Sequence, residues 1–248
     1  MQEGQLCFMN FPQLAISSLR TLPLNPENLG KIFRELSPAQ LVFFHGSCMA
    51  HAFSEFMCVQ SQLPCAEGGL DSSAVFVDGG NTFDPYLVSE ISRLLDLNPE
   101  KTLKNIWVSR AFTGYQLTAL ITERLPEILD REDSRLVVVS DAATLYCDSD
   151  IPMIEARKTF NRVARFLWNL KKERDLLLVV TSLSSGGERR QRLEQYLLGR
   201  AEVAARVEEG NPCVKVTFEK HPSKPTASFK FFFEEMSAQS KLEDFVEV

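Results

Sequence analysis

Five short apolar runs recur between residues 41 and 181, each separated from the next by a stretch of helical periodicity. They lie at 41–44, 74–78, 105–109, 136–139 and 176–181. A run such as Leu136-Val-Val-Val139 has no polar alternation, so it predicts a strand buried on both faces, as in parallel sheets covered by helices. The intervening segments supply such helices. Segment 50–62 places Ala52, Phe53, Phe56, Met57 and Val59 on one side, and segment 85–95 aims Leu87, Ile91, Leu94 and Leu95 at the sheet, with Pro85 in its first turn. Segment 116–129 is helical, with Pro126 ending or kinking it. Segment 155–173 is the strongest: Phe160, Val163, Leu167 and Leu170 form an apolar stripe. Strand alternating with helix predicts an α/β fold with a mostly parallel central sheet flanked by helices. After residue 200 the pattern changes to closely spaced runs at 201–207, 214–219 and 228–233, which predict C-terminal antiparallel strands.

The remaining features narrow the class. A chain of 248 residues that is 44% hydrophobic can bury one large core. No run of about 18 apolar residues predicts a membrane span, and the first residues do not read as a signal peptide. The six cysteines are scattered without a Cys-x-x-Cys pair, which predicts reduced thiols in an intracellular protein. The net charge of -6 is uneven: residues 1–150 carry -9, residues 151–230 carry +7 and residues 231–248 carry -4. The basic third suits a polyanion or an acidic partner. The predicted organisation is a segment at 1–40 with a short helix at 27–36, a core domain at 41–236 and an acidic tail at 237–248.

Several residue groups invite a chemical reading. His45, Cys48 and His51 are spaced three apart and could suggest a metal site, but no fourth ligand is evident. Ser140-Asp141 could suggest an active hydroxyl or a magnesium carboxylate, though no histidine is tied to it by sequence. Phe229, Phe231 and Phe233 alternate as core residues would, with a partner interface as the other reading.

Gln62-Leu-Pro64, the Glu67-Gly-Gly-Leu70 loop, Val77-Asp78, Asn81-Thr-Phe83, Pro85 and Ser109-Arg-Ala-Phe112 together resemble the ATPase core of the RadA-type strand-exchange recombinases and their paralogues, within the RecA superfamily. The resemblance is dense over 62–118 and continues more loosely through Leu145-Tyr146 and Ala164-Arg-Phe-Leu167 to about residue 233. It implies a RecA-like core without the family's N-terminal helical DNA-binding domain. Its phosphate loop, Gly-x-x-x-x-Gly-Lys-Ser/Thr, falls on residues 44–51, where Phe44 and Met49 replace the glycines, Ala50 the lysine and His51 the magnesium-binding hydroxyl. The water-activating glutamate corresponds to Gly80, the strand-end aspartate to Ser140, and the polar sensor to Ser182-Leu183. His45, Met49 and His51 are then expected to fill the vacated site.

The resemblance implies no catalytic residue, cofactor or metal here: a pseudo-ATPase rather than an enzyme. It implies a non-catalytic recombinase paralogue, an accessory or mediator in homologous recombination and DNA repair. Such a chain would bind single-stranded DNA and/or a recombinase-like subunit without ATP, as a dimer or small hetero-complex, in the nucleus of a eukaryote or the cytoplasm of an archaeon. The family's Phe-x-x-Ala filament motif is one residue too short to match Phe11 and Ala15. The DNA-binding candidates are Arg189, Arg190 and Arg192, in the region of the family's second DNA-binding loop, and Arg157, Lys158, Arg162 and Arg165, following its first. The alternatives are an ATPase with a rearranged site on Asp78, Asp141, Gly79 and Gly186, and a pure protein–protein adaptor.

Overall fold

A computed structural model of the chain describes residues 26–183, 187–210, 213–224 and 227–232. Every predicted strand forms. They are β1 (Leu41–Gly46), β2 (Ala74–Asp78), β3 (Ile106–Arg110), β4 (Leu136–Ser140) and β5 (Leu177–Leu183), followed by β6 (Val203–Glu209), β7 (Cys213–Lys220) and β8 (Ser228–Phe232). They build one sheet in the order β3-β2-β4-β5-β1-β6-β7-β8. Pairing is parallel from β3 to β6 and antiparallel over β6-β7-β8. This is the mixed α/β arrangement that the pattern predicts, and it is consistent with the RecA-like core that the resemblance implies. Phe229 and Phe231 pack in the core, while Phe233, Gly186, Phe11, Ala15 and the acidic tail lie outside the described residues.

Successive residues of a strand face opposite sides, so each parallel strand feeds two cores. Val42, Phe44, Phe76 and Val138 pack with α1 (Pro26–Arg34), α2 (Met49–Gln60) and α3 (Pro85–Leu94). Leu41, Phe43, Val75 and Val137 pack with the helices described next. The predicted apolar stripe of α7 (Met153–Glu173) is buried at all four positions. Leu29, Ile32 and Phe33 of α1, within the segment that precedes the core strands, share the first core. In α3, Leu94 turns out half exposed and Val88 is buried in its stead.

Three helical features differ from expectation. A short helix, α4 (Pro99–Lys104), is started by Asn98, whose side chain accepts from the Lys101 amide. The helix over 114–132 runs through Pro126: α5 (Gly114–Ala119) and α6 (Leu125–Glu132) are joined by one widened turn at Leu120–Arg124, which absorbs the missing proline N–H. After β5, α8 (Glu188–Arg200) anchors by Leu193 and Leu197. Among the described residues no helix is long and apolar enough to cross a membrane, and the five described cysteines are free.

All twelve residues of α2 are buried, including Glu55. Its Oε1 accepts from the Asp84 amide at 2.8 Å, and Oε2 has no hydrogen-bond partner among the described residues. Burial raises the Glu55 carboxyl well above its ordinary 4.5, and the charges of Asp84 and Asp78 add to this. The folded chain therefore keeps a proton that the unfolded chain releases. Its contribution is fullest below about pH 4.5 and is lost as the pH rises toward the folded value. Urea unfolding across this range should show Glu55→Gln gaining on the wild type as the pH rises; parallel profiles would count against the protonated carboxyl.

Candidate functional site

In open α/β sheets, ligands bind beyond the carboxyl ends of the strands. Here those ends carry Gly46, Asp78, Ser140 and Leu183. The turn between β1 and α2 is only Ser47-Cys48. The Ser47 amide donates to the Val207 carbonyl at 2.8 Å, and the Ala50 and His51 amides donate back to Ser47 and Cys48. Three of the backbone N–H groups that would cradle a phosphate at such a turn are thus engaged within the protein. Gly46 has φ +126°, and a Cβ there would sit 2.1 Å from the Val207 carbonyl oxygen. The β1 end is pressed against β6.

The three residues expected to fill this place separate. Met49 enters the first core. His45 reaches across to Glu219 (2.8 Å), which also holds Arg206 (2.7 Å). His51 turns inward, with Nδ1 2.9 Å from Thr181 Oγ1 and 3.2 Å from Ser140 Oγ. Thr82 Oγ1 closes the row by a short hydrogen bond with Ser140 Oγ. Burial holds the His51 imidazole below its ordinary 6.5, against the pull of Asp141 and Asp78, so it is neutral near pH 7. The fold therefore does bring a histidine to Ser140, a pairing that sequence separation hid. Ser140 is fully buried and His51 Nδ1 is shared with Thr181, so this is an internal relay rather than an exposed nucleophile. Cys48 faces Glu209, and burial with that carboxylate raises its thiol, which disfavours a thiolate ligand. Among the described residues no group of three His, Cys, Asp or Glu is placed to hold a metal ion.

Two carboxylates at the strand ends are each held by an arginine. Asp78, fully buried, receives Arg110 at 2.9 Å and the Thr82 amide at 2.9 Å. Asp141 receives Arg190 at 3.2 Å and the Thr144 hydroxyl. Gly80 lies against it: a Cβ there would meet the Asp141 Cβ at 2.6 Å, so a glutamate does not fit without displacing Asp141.

The arginine cluster on α8 is not the exposed grip that sequence reading expects. Arg190 is 7% exposed and also donates to the Leu183 carbonyl at 2.7 Å. Arg189 is half-buried and donates to the carbonyls of Tyr146 and Ile151. Arg192 alone is exposed, and it pairs with Glu188 one turn away. The reason is local: α8 starts against the strand ends, so its first arginines satisfy carbonyls and a carboxylate there. On α7, Arg157, Lys158, Arg162 and Arg165 are all exposed, as the stripe on the opposite face requires.

Set against models of known protein families, the chain matches that of Rad51 over residues 42–185. The match covers β1 through β5, the parallel strands whose ends form this site. Spanning more than half of the chain and agreeing with the sheet just described, it makes this protein a member of the Rad51 family, the recombination and repair proteins that bind DNA and assemble into oligomers or complexes.

Proposed function

We propose that this chain is a non-catalytic Rad51-family paralogue, an accessory or mediator subunit that engages single-stranded DNA and a recombinase-like partner without ATP. The observation that carries this reading is the closed turn at 46–48, with the Ser47 amide spent on Val207 and Gly46 pressed to the same carbonyl. Ala50 stands where the family's lysine would reach the phosphates and is itself fully buried. Each lost charge-assisted contact removes about 1.5–3 kcal/mol of nucleotide affinity. The competing ATPase reading needs Asp78 and Asp141 free for magnesium, yet an arginine holds each. The Arg190 and Arg110 guanidiniums thus supply, from within the chain, positive charge beside both carboxylates.

Calorimetry with ATP and magnesium tests it. The expected result is no binding at micromolar nucleotide. Micromolar affinity would reject the proposal in favour of a rearranged ATPase, and hydrolysis lost on Asp141→Asn would locate the site.

A further inference from the structure

Helix α7 carries six cations but only two carboxylates, Glu155 and Glu173. Lys171 is buried and paired with Glu202 at 2.6 Å. Arg157 turns toward α8, where its Nε donates to the Tyr196 hydroxyl at 3.3 Å. The other four, Lys158, Arg162, Arg165 and Lys172, follow Ile154 at spacings of 4, 8, 11 and 18 residues, so they share one helix face. At 1.5 Å per residue that face runs for about 27 Å. Lys158, Arg162 and Arg165 are exposed and make no hydrogen bond or ion pair among the described residues. By contrast Lys104, Arg124, Arg192 and Arg206 each sit against a carboxylate. Glu155 at the head of this face is turned to Tyr115, and among the described residues no carboxylate pairs with Lys158, Arg162 or Arg165.

The shape of the surface agrees. A groove of about 740 Å³ follows Ile154, Lys158, Arg162 and Arg165. Ile154 (84% exposed) lines its head, and Tyr115 (56%) stands beside it, three residues after the exposed Phe112 (72%). The Tyr115 hydroxyl donates to Glu155 at 2.7 Å, which ties α5 to the start of α7. At the far end Lys172 lies 3.7 Å from the Trp168 ring centre, and Trp168 lines a second groove with Arg200 and Lys220.

We propose that the outer face of α7 is a track for single-stranded DNA. Lys158, Arg162 and Arg165, continued by Lys172, lie along the phosphates, and Phe112 and Tyr115 stack on unpaired bases at its head. A row of unpaired cations releases counterions from a polyanion, and an exposed ring offers every base the same stacking face. A duplex keeps its bases stacked on one another, so only the unpaired strand uses both features. The proposal rests on the reading above that the chain engages DNA without nucleotide, and it goes further in assigning the surface.

Fluorescence anisotropy with labelled oligo(dT) and a matched duplex tests it. The full chain should bind oligo(dT) more tightly than duplex. The variant K158A/R162A/R165A should bind at least about tenfold more weakly near 0.1 M salt, with a salt slope lower by about 2, at ~0.7 per lost phosphate contact. F112A/Y115A should lose the preference for the unpaired strand while keeping the slope, and R192A should match the wild type. Circular dichroism confirms that each variant is folded. A folded triple variant with wild-type affinity overturns the track, as does a wild-type chain that binds neither DNA at low salt, a result that would turn this face over to an acidic protein. Repeating the titration with ATP separates the two proposals: an ATP-dependent affinity sinks the nucleotide-free reading and leaves the track standing.

Discussion

An Arg190→Ala variant is expected to lose roughly 3–5 kcal/mol of stability, because it strands a buried charge. Asp141 is only 4% exposed and Arg190 only 7%. Without the guanidinium, Asp141 keeps the Thr144 hydroxyl and a long contact of 3.4 Å from the Leu183 amide. It loses the only cation that it pairs with among the described residues. The Leu183 carbonyl loses its 2.7 Å donor as well. For a chain of this size the midpoint should fall by roughly 6–20 °C, at about 2–4 °C per kcal/mol. Adding Asp141→Asn should recover part of the loss, since the stranded group is then neutral. Arg192→Ala should cost at most about 0.5 kcal/mol, because its pair with Glu188 is exposed. Thermal melts of the four proteins decide it: an Arg190→Ala midpoint level with that of Arg192→Ala would mean that the buried pair does not hold α8 to the sheet. Weak DNA binding by an Arg190 variant would accordingly report a damaged fold rather than a lost phosphate contact.

Gly46→Ala should be comparably damaging. At φ +126° any side chain is strained, by about 1–3 kcal/mol. The new Cβ would lie 2.1 Å from the Val207 carbonyl oxygen, a backbone atom with no rotamer to escape into. Overpacking of this kind adds about 1–3 kcal/mol. The chain can relieve it only by parting β1 from β6, which breaks the 2.8 Å bond from the Ser47 amide. Two readings should therefore move together: unfolding stability falls by roughly 2–6 kcal/mol, and hydrogen exchange at Ser47 accelerates. Gly199→Ala is the control. It lies in α8 with nothing within 4 Å of its Cβ position, so stability should hold or rise slightly. Unaltered exchange at Ser47 in the Gly46 variant would mean that the turn is looser than this geometry. The same separation of strands would be needed to open a phosphate cradle here, so Gly46 links the closed turn to the proposed independence from ATP.

Much of this molecule could be read before any coordinates. Leu136-Val-Val-Val139 cannot leave either face in water, so a central strand follows from local composition. The apolar stripe of α7 predicts its buried face, and thereby leaves Lys158, Arg162 and Arg165 outside. Helix α4 was missed although Asn98-Pro99 signals a capped start, because six residues hold too little periodicity to register. The widened turn at Leu120–Arg124 hid in the same way: Pro126 signals a break, and packing of Leu117, Ile121 and Leu125 into the second core kept the helix running.

The candidate site was legible in its losses and opaque in its contacts. That Ala50 falls where the resembled family has a lysine is an expectation about one position, readable without any contact. That His51 meets Ser140 and Thr181, or that Arg190 meets Asp141, depends on residues 89, 130 and 49 positions away. In sequence Arg190 and Arg162 are the same residue in similar basic surroundings. Periodicity speaks for a helix face only where apolar residues mark the other side, as on α7; α8 begins at the crowded carboxyl ends of central strands, where a charged side chain is drawn inward to satisfy carbonyls. The strands and their amphipathic helices were thus determined by the sequence itself, because burying apolar surface is a demand that each segment makes locally. Which cations are spent inside and which remain for a partner was decided only by the tertiary structure, because the pairing of a charge is settled by whatever the fold places beside it.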